Sequence, residues 1–508
     1  MEYSPENRCL RMPVTVLDTV AEQLADVDLT LPDYCPDIKK ILKCSLTPKL
    51  QTKSLSGGQL RVDGFCVVNV LYVEGDHDTI RCCEQSVNFS QSFSLRDTPE
   101  TYAVLTATKP EYINCRALSP RRLVMHGAFS LYVKVLATES VSLYTPPENL
   151  QVLERRLDCA DLQAFCQEQF TVSEEISAAD KPPVEAILHT SVTAGVNDVK
   201  AVTGKLMING ELNLRMFYLC DVETGETAKL EYLLPFNQII DCEGVDENTH
   251  NLLGCEVMSY DFRLKNDVMS EKPLIILDAK LCMTGEGYAS REETLICDAY
   301  STDYVCVPQF DNLRAVTEVH PVAEGFMEKL TMRVDSGRIA KILDIYADSL
   351  TLNTAAIDGG VKVSGKINLC MLALDEKNVP LFVERSCDYE HRLASADGCD
   401  SLTFGKARAA GLSYRLADDN TAEIRMELKI TGGAMKNETV RVVTEVEIAE
   451  DQPIASDNCT LTLYYAGEGE NLWSIAKAHN TRLDLLMQEN NRDTIELDSA
   501  QMLLIPKL

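Results

Sequence analysis

Apolar side chains recur at every second position in three widely separated stretches of the chain. Leu60, Val62, Cys66, Val68, Val70 and Tyr72 form the first, Leu206, Ile208, Leu212, Leu214, Met216 and Tyr218 the second, and Val361, Val363, Ile367, Leu369 and Met371 the third. A period of two turns one face of a strand toward a core and the other toward water. In each stretch a glycine (Gly64, Gly210 or Gly365) stands on the apolar phase. A missing side chain there predicts a bulge or a close backbone approach in a curved strand, so these three glycines are assigned structural roles.

An Ile-Leu pair precedes each glycine at a fixed distance, with Ile41, Ile187 and Ile342 all 23 residues upstream of it. The pairs close the segments Pro36-Asp-Ile-Lys-Lys-Ile-Leu42, Pro183-Val-Glu-Ala-Ile-Leu188 and Gly337-Arg-Ile-Ala-Lys-Ile-Leu343. Their apolar residues fall three and four apart, which predicts a short helix in each copy, opened by proline in the first two. Further strand-like runs follow at 123–133, 274–281 and 422–430, so the repeat is about 150 residues long. The expected organisation is mainly β (α+β overall): unit 1 over 1–150, unit 2 over 151–308 and unit 3 over 309–450, each two packed or partly rolled sheets.

The pattern changes after a polar linker at 451–460. Residues 461–465 read as a strand, 469–479 and 482–489 as two helices, and 502–506 as a closing strand, making a βααβ unit over 461–508. So small a core leans on single large residues, and Trp473, the only tryptophan, is assigned to it.

Composition narrows the partners. A length of 508 residues fits three or four domains, and 78 acidic against 48 basic residues give a net charge of −30. Such a surface repels phosphate backbones and anionic lipid, which excludes nucleic acid and bare membrane as expected partners. The start of the chain lacks an apolar signal region and no stretch suffices to span a membrane, so a cytoplasmic protein is expected. The 19 cysteines form no C-x-x-C pair and many stand on apolar phases, which reads as reduced core residues rather than a disulfide framework. Motifs for zinc proteases, serine hydrolases and nucleotide loops are absent, and the seven histidines are scattered, so no enzyme, cofactor, metal or catalytic residue is assigned.

Two resemblances add to this. The segment 27–42, with its Leu31-Pro-Asp-x-x-Pro-Asp-Ile38 run, and the strand around Gly64 resemble the SPOCS domain, found in tandem in SipL-like spore morphogenetic proteins of clostridia. Units 2 and 3 are similar to it chiefly in register. Residues Tyr464, Gly469-Glu-Asn-Leu-Trp-Ser-Ile-Ala476, Leu486 to Asn491 and Gln501-Met-Leu-Leu-Ile-Pro506 resemble a LysM domain. That likeness implies binding of N-acetylglucosamine glycans through Gly469, Glu470, Asn471 and Leu472 in one loop and Asn490, Asn491 and Arg492 in another. The family's usual Asp-Thr after the glycine is here Glu470-Asn471, and the module's seven acids against four bases give it a net charge of −3. The implied role is a non-enzymatic coat scaffold in the mother-cell cytoplasm at the forespore surface, with the LysM module docking a coat basement-layer protein, the SpoIVA ATPase. The alternative is a peptidoglycan-binding protein of the cell wall or spore cortex.

Overall fold

The computed structural model describes residues 8–75, 77–176, 181–265, 274–335, 337–454, 460–497 and 499–506. Seven strands build the first unit: β1 (Cys9–Leu24), β2 (Val27–Thr30), β3 (Ile38–Ser56), β4 (Gln59–Glu74), β5 (Ile80–Ser94), β6 (Tyr102–Ser119) and β7 (Arg122–Ser142). Six build the second: β8 (Leu150–Ile176), β9 (Ala186–Val202), β10 (Lys205–Asp221), β11 (Glu226–Asp241), β12 (His250–Lys265) and β13 (Leu274–Ser301). The third has β14 (Tyr304–Arg333), β15 (Ile339–Leu350), β16 (Asn353–Ile357), β17 (Gly360–Asp375), β18 (Pro380–Leu393), β19 (Ser401–Asp418) and β20 (Thr421–Pro453).

Each unit holds two antiparallel sheets. The inner sheets run β3-β4-β5, β9-β10-β11 and β15/β16-β17-β18, with the alternating strand of the sequence in the centre. The second sheets are centred on β7, β13 and β20. In each unit the two sheets face each other over one core, such as that joining Leu212, Leu214 and Met216 of β10 to Leu277, Ala279 and Leu281 of β13. Alternation in sequence therefore becomes a two-layer sandwich.

The repeated glycines sit under aromatic rings. Gly64 pairs with Phe89, Gly210 with Phe236 and Gly365 with Tyr389 on the neighbouring strand. A Cβ on Gly64 would lie 2.3 Å from the Lys49 carbonyl and 2.7 Å from the Phe89 ring, and one on Gly365 would lie 1.9 Å from the Thr351 carbonyl. In every unit that ring also meets a phenylalanine of the facing sheet: Phe129, Phe170 or Phe326. The glycine thus lets the inner sheet curve and the ring fill the space it leaves.

The short helices expected at 36–42, 183–188 and 337–343 are not formed; the residues begin strands β3, β9 and β15. The reason lies in the register. Pairing of β3 with β4 skips Lys39 and Leu42, and pairing of β15 with β17 skips Ala340 and Leu343. Each bulge adds a residue and converts a two-residue apolar repeat into a three-residue one, which mimics helical spacing. In β9 the skipped residue is Leu188.

These bulges have one use. Leu42, Leu188 and Leu343 come together in a single apolar cluster with Leu71, Phe217 and Leu372, so every unit supplies the same two repeat positions and the three inner sheets meet there. The next residues, Lys43, His189 and Asp344, pair opposite Leu71, Phe217 and Leu372 and stand at equivalent places in β3, β9 and β15. The second sheets meet separately, through Leu10 of β1, Leu157 of β8 and Leu313 of β14. The expected linker at 451–460 begins inside β20, and residues 455–459 lie outside the described residues.

A candidate recognition module and its seat

Beyond the repeats, β21 (Leu461–Ala466) and β22 (Gln501–Pro506) form a two-stranded antiparallel sheet, with α1 (Leu472–Ala478) and α2 (Leu483–Glu489) between them. Helix α1 starts where the Asn471 side chain accepts the Ser474 N–H at 2.8 Å, an asparagine N-cap. Its buried residues Leu472, Trp473, Ile475 and Ala476 pack with Leu486 of α2 and with Leu503 and Ile505 of β22. The other face of the sheet is different: Leu463, Tyr465 and Met502 are 66%, 69% and 65% exposed, and Tyr465 pairs directly with Met502. Large apolar side chains are thus collected on the outward face of a small acidic module.

The two loops carrying the expected ligand contacts meet, because Leu472 donates its N–H to the Ile495 carbonyl at 2.8 Å and Asn471 forms a β-bridge with Glu496. Their side chains are mostly occupied. Leu472 is fully buried. Glu470 accepts from the Tyr464 hydroxyl at 3.0 Å and the Gly467 N–H at 2.8 Å. Asn490 donates to the Leu486 and Leu504 carbonyls and accepts from the Leu504 N–H, tying α2 to β22. Arg492 donates to Gln501. Gly469 and Asn491 adopt positive φ, 88° and 48°, and are exposed, which leaves them the loop positions open to an incoming group.

The module is seated on the repeat body. The Trp473 indole donates to Asp298 Oδ2 at 2.8 Å, Lys477 Nζ to Asp298 Oδ1 at 2.6 Å, and the Tyr300 hydroxyl to the Thr481 carbonyl at 2.7 Å. The Tyr300 and Trp473 rings meet edge to face at 5.0 Å. Burial pushes the Tyr300 hydroxyl above its ordinary pKa, so it stays a donor. Asp298 is presented by a bulge in β13, which skips Cys297. Trp473 is therefore both a core residue of the module and its anchor. Sequence reading found the first role and missed the second, because Asp298 and Tyr300 lie far away in the chain. The one local hint is that Trp473 and Lys477 stand four apart and share a face of α1.

A second constellation sits where units 1 and 3 meet. Asp348, Cys370 and Glu384 bring three ligand atoms together as a metal site would. The Lys43 ammonium lies among them, 2.8 Å from Asp348, 3.5 Å from Glu384 and 3.1 Å from the Cys370 sulfur. Burial alone would lower its pKa, but Asp348 and Cys370 outweigh that and raise it. A tethered cation thus fills the place, and the cluster joins two units. Asp344, fully buried, is held likewise by Arg215 and by Lys229 at 2.9 Å, both from unit 2.

Comparison with known families adds three matches. The family model described as SipL, SPOCS domain matches residues 37–118 and 183–265, the stretches from β3 to β6 and from β9 to β12. The LysM domain model matches residues 464–506. No curated protein and no solved structure matches the chain. The chain thus carries two stretches of SipL-type SPOCS domain and a C-terminal LysM domain, domain types that bind, and these matches support a sporulation-associated binding role. Among the described residues, no helix is long and apolar enough to cross a membrane.

Proposed function

We propose that the chain is a non-enzymatic scaffold of spore coat assembly, in which the repeat body carries the LysM module as a docking head for a coat basement-layer protein. The reading divides the chain at 1–150, 151–308 and 309–450, with the third unit a divergent SPOCS-like domain. In its support, that unit repeats the two-sheet plan, the glycine under an aromatic ring and the bulged leucine. The observation that carries the docking role is the fixed seat. Trp473, Lys477 and Thr481 are bonded to the body, while the apolar face of Leu463, Tyr465 and Met502 points away from the module's own core. A rigidly presented apolar face suits a protein partner, and by resemblance that partner is the SpoIVA ATPase at the forespore surface in the mother cell.

Copurification from sporulating cells tests this with the full chain carrying Tyr465→Asp and Met502→Asp. Loss of the coat partner with an unchanged melting profile is the expected result; capture equal to that of the parent chain removes the docking role from this face. The LysM match also favours a glycan reading, in which Gly469 and Asn491 line an N-acetylglucosamine subsite. Calorimetry with chitooligosaccharides separates the two: saturable binding lost on Asn491→Ala and kept in the Tyr465→Asp, Met502→Asp chain would support the glycan.

A further inference from the structure

The second sheets of the three units leave a cleft of about 910 Å³ between them, reached by β1, β6 and β7 of unit 1, β12 and β13 of unit 2 and β14, β19 and β20 of unit 3. Its size is that of small-ligand sites. Leu105, Val133, Leu136, Cys282, Phe404 and Met435 supply apolar wall. Among them stands Glu286, only 1% exposed. Its Oε2 accepts the Tyr288 hydroxyl at 2.8 Å, whereas Oε1 is buried and has no protein hydrogen-bond partner.

A buried carboxylate oxygen without a donor is costly, and cavities that contain one suit a ligand that brings the donor. The ammonium groups around the cleft leave Oε1 without a hydrogen bond. Lys53 is paired with Glu256 at 2.7 Å, Lys406 donates to the Cys255 carbonyl at 3.0 Å, and Lys134 stands 4.0 Å from Asp18. The Tyr288 hydroxyl already supplies its proton to Oε2, so once the carboxyl is ionised, above about pH 7, the open position is an acceptor on a wall that mixes apolar and polar side chains.

We infer that this cleft is a binding site for a small amine with an apolar body, its ammonium donating to Glu286 Oε1 and its body lying against the apolar wall. The site requires all three units, since Glu286 comes from unit 2 and the wall from units 1 and 3. It is independent of the LysM module and of what that module docks.

Phenethylamine is a suitable probe, with 2-phenylethanol as its uncharged counterpart, each titrated against the full chain at about pH 8, where the Glu286 carboxyl is ionised, by ligand-observed NMR. Saturable binding of the amine, at least about tenfold tighter than the alcohol, is expected. Glu286→Gln should weaken the amine by about tenfold and leave the alcohol unchanged. Thr403→Trp, which fills the cleft from unit 3 and leaves Glu286 in place, should abolish binding of both while the chain melts as before. Equal affinity for amine and alcohol, amine binding unaltered by Glu286→Gln, or no saturable amine binding overturns the inference.

Discussion

The junction of the three units and the seat of the LysM module are both interfaces within one chain, and they are built in opposite ways. At the junction, leucines at one repeat position converge, and fully buried Asp344 is held by cations from the neighbouring unit. At the seat, one aromatic pair and one partly exposed carboxylate hold a small domain against the end of β13. The first interface is an apolar cluster of its own, apart from the cores inside the units; the second is continuous with the module's core, which takes in Tyr300, Leu153 and Cys306 of the body.

Substitutions should separate the two. The largest effect is expected from Asp344→Ala, which leaves Arg215 and Lys229 without their buried partner and destabilises the body by roughly 3 to 5 kcal/mol in denaturant unfolding. A shift under about 1 kcal/mol would show that the pairs contribute little to the junction. Trp473→Ala should cost the module a similar 3 to 5 kcal/mol or so, read as lost hydrogen-exchange protection over residues 461–506 with the repeats still protected. Protection lost throughout would mean that body and module are one cooperative unit.

Glu286 makes the body sensitive to pH. Burial pushes its carboxyl up to about 7, above the ordinary 4.5, so its folded form holds the proton more tightly. Its contribution is fully present below the unfolded value and is lost as pH rises through about 7. Glu286→Gln removes this loss and should stabilise the body by roughly 3 kcal/mol at about pH 8, the gain vanishing near pH 4. His189 acts in the other direction. Burial lowers its pKa to about 4, so it costs stability as pH falls from 6.5 toward that value, and it is untouched by the substitution. A gain independent of pH would mean that Glu286 titrates normally.

Gly365→Ala should cost roughly 1 to 3 kcal/mol, because the new methyl meets the Thr351 carbonyl at 1.9 Å, and a normal melting temperature would mean that the strand shifts freely. The smallest effect belongs to the seat: Tyr300→Phe removes one hydrogen bond to Thr481 and should cost about 1 kcal/mol. Trp473 fluorescence, the signal of the only tryptophan, reads it directly, and an unchanged spectrum and midpoint would remove that bond from the seat.

The contrast also decides what was legible beforehand. Alternation, the repeated glycines and the βααβ module follow from local spacing, which sequence displays. The starts of β3, β9 and β15 were misread because a bulge changes the apolar period without changing composition, and residues such as Leu42 look helical when their partner strand is unknown. The loop residues of the LysM module were placed by resemblance. That Asn471 caps a helix and Asn490 clamps β22 depends on backbone groups that no side-chain pattern reveals. Asp298 and Tyr300 carry no local mark of their partner.

Lys43, His189 and Asp344 occupy one repeat position yet differ in charge. An assembly of three identical subunits would place the same side chain at all three corners, and three lysines or three aspartates would repel one another there. Covalent fusion lifts that restriction, since each copy can mutate on its own. Joining the units in one polypeptide therefore permits a heteropolar centre that a symmetric trimer is denied, and it gives each unit a fixed address at the junction.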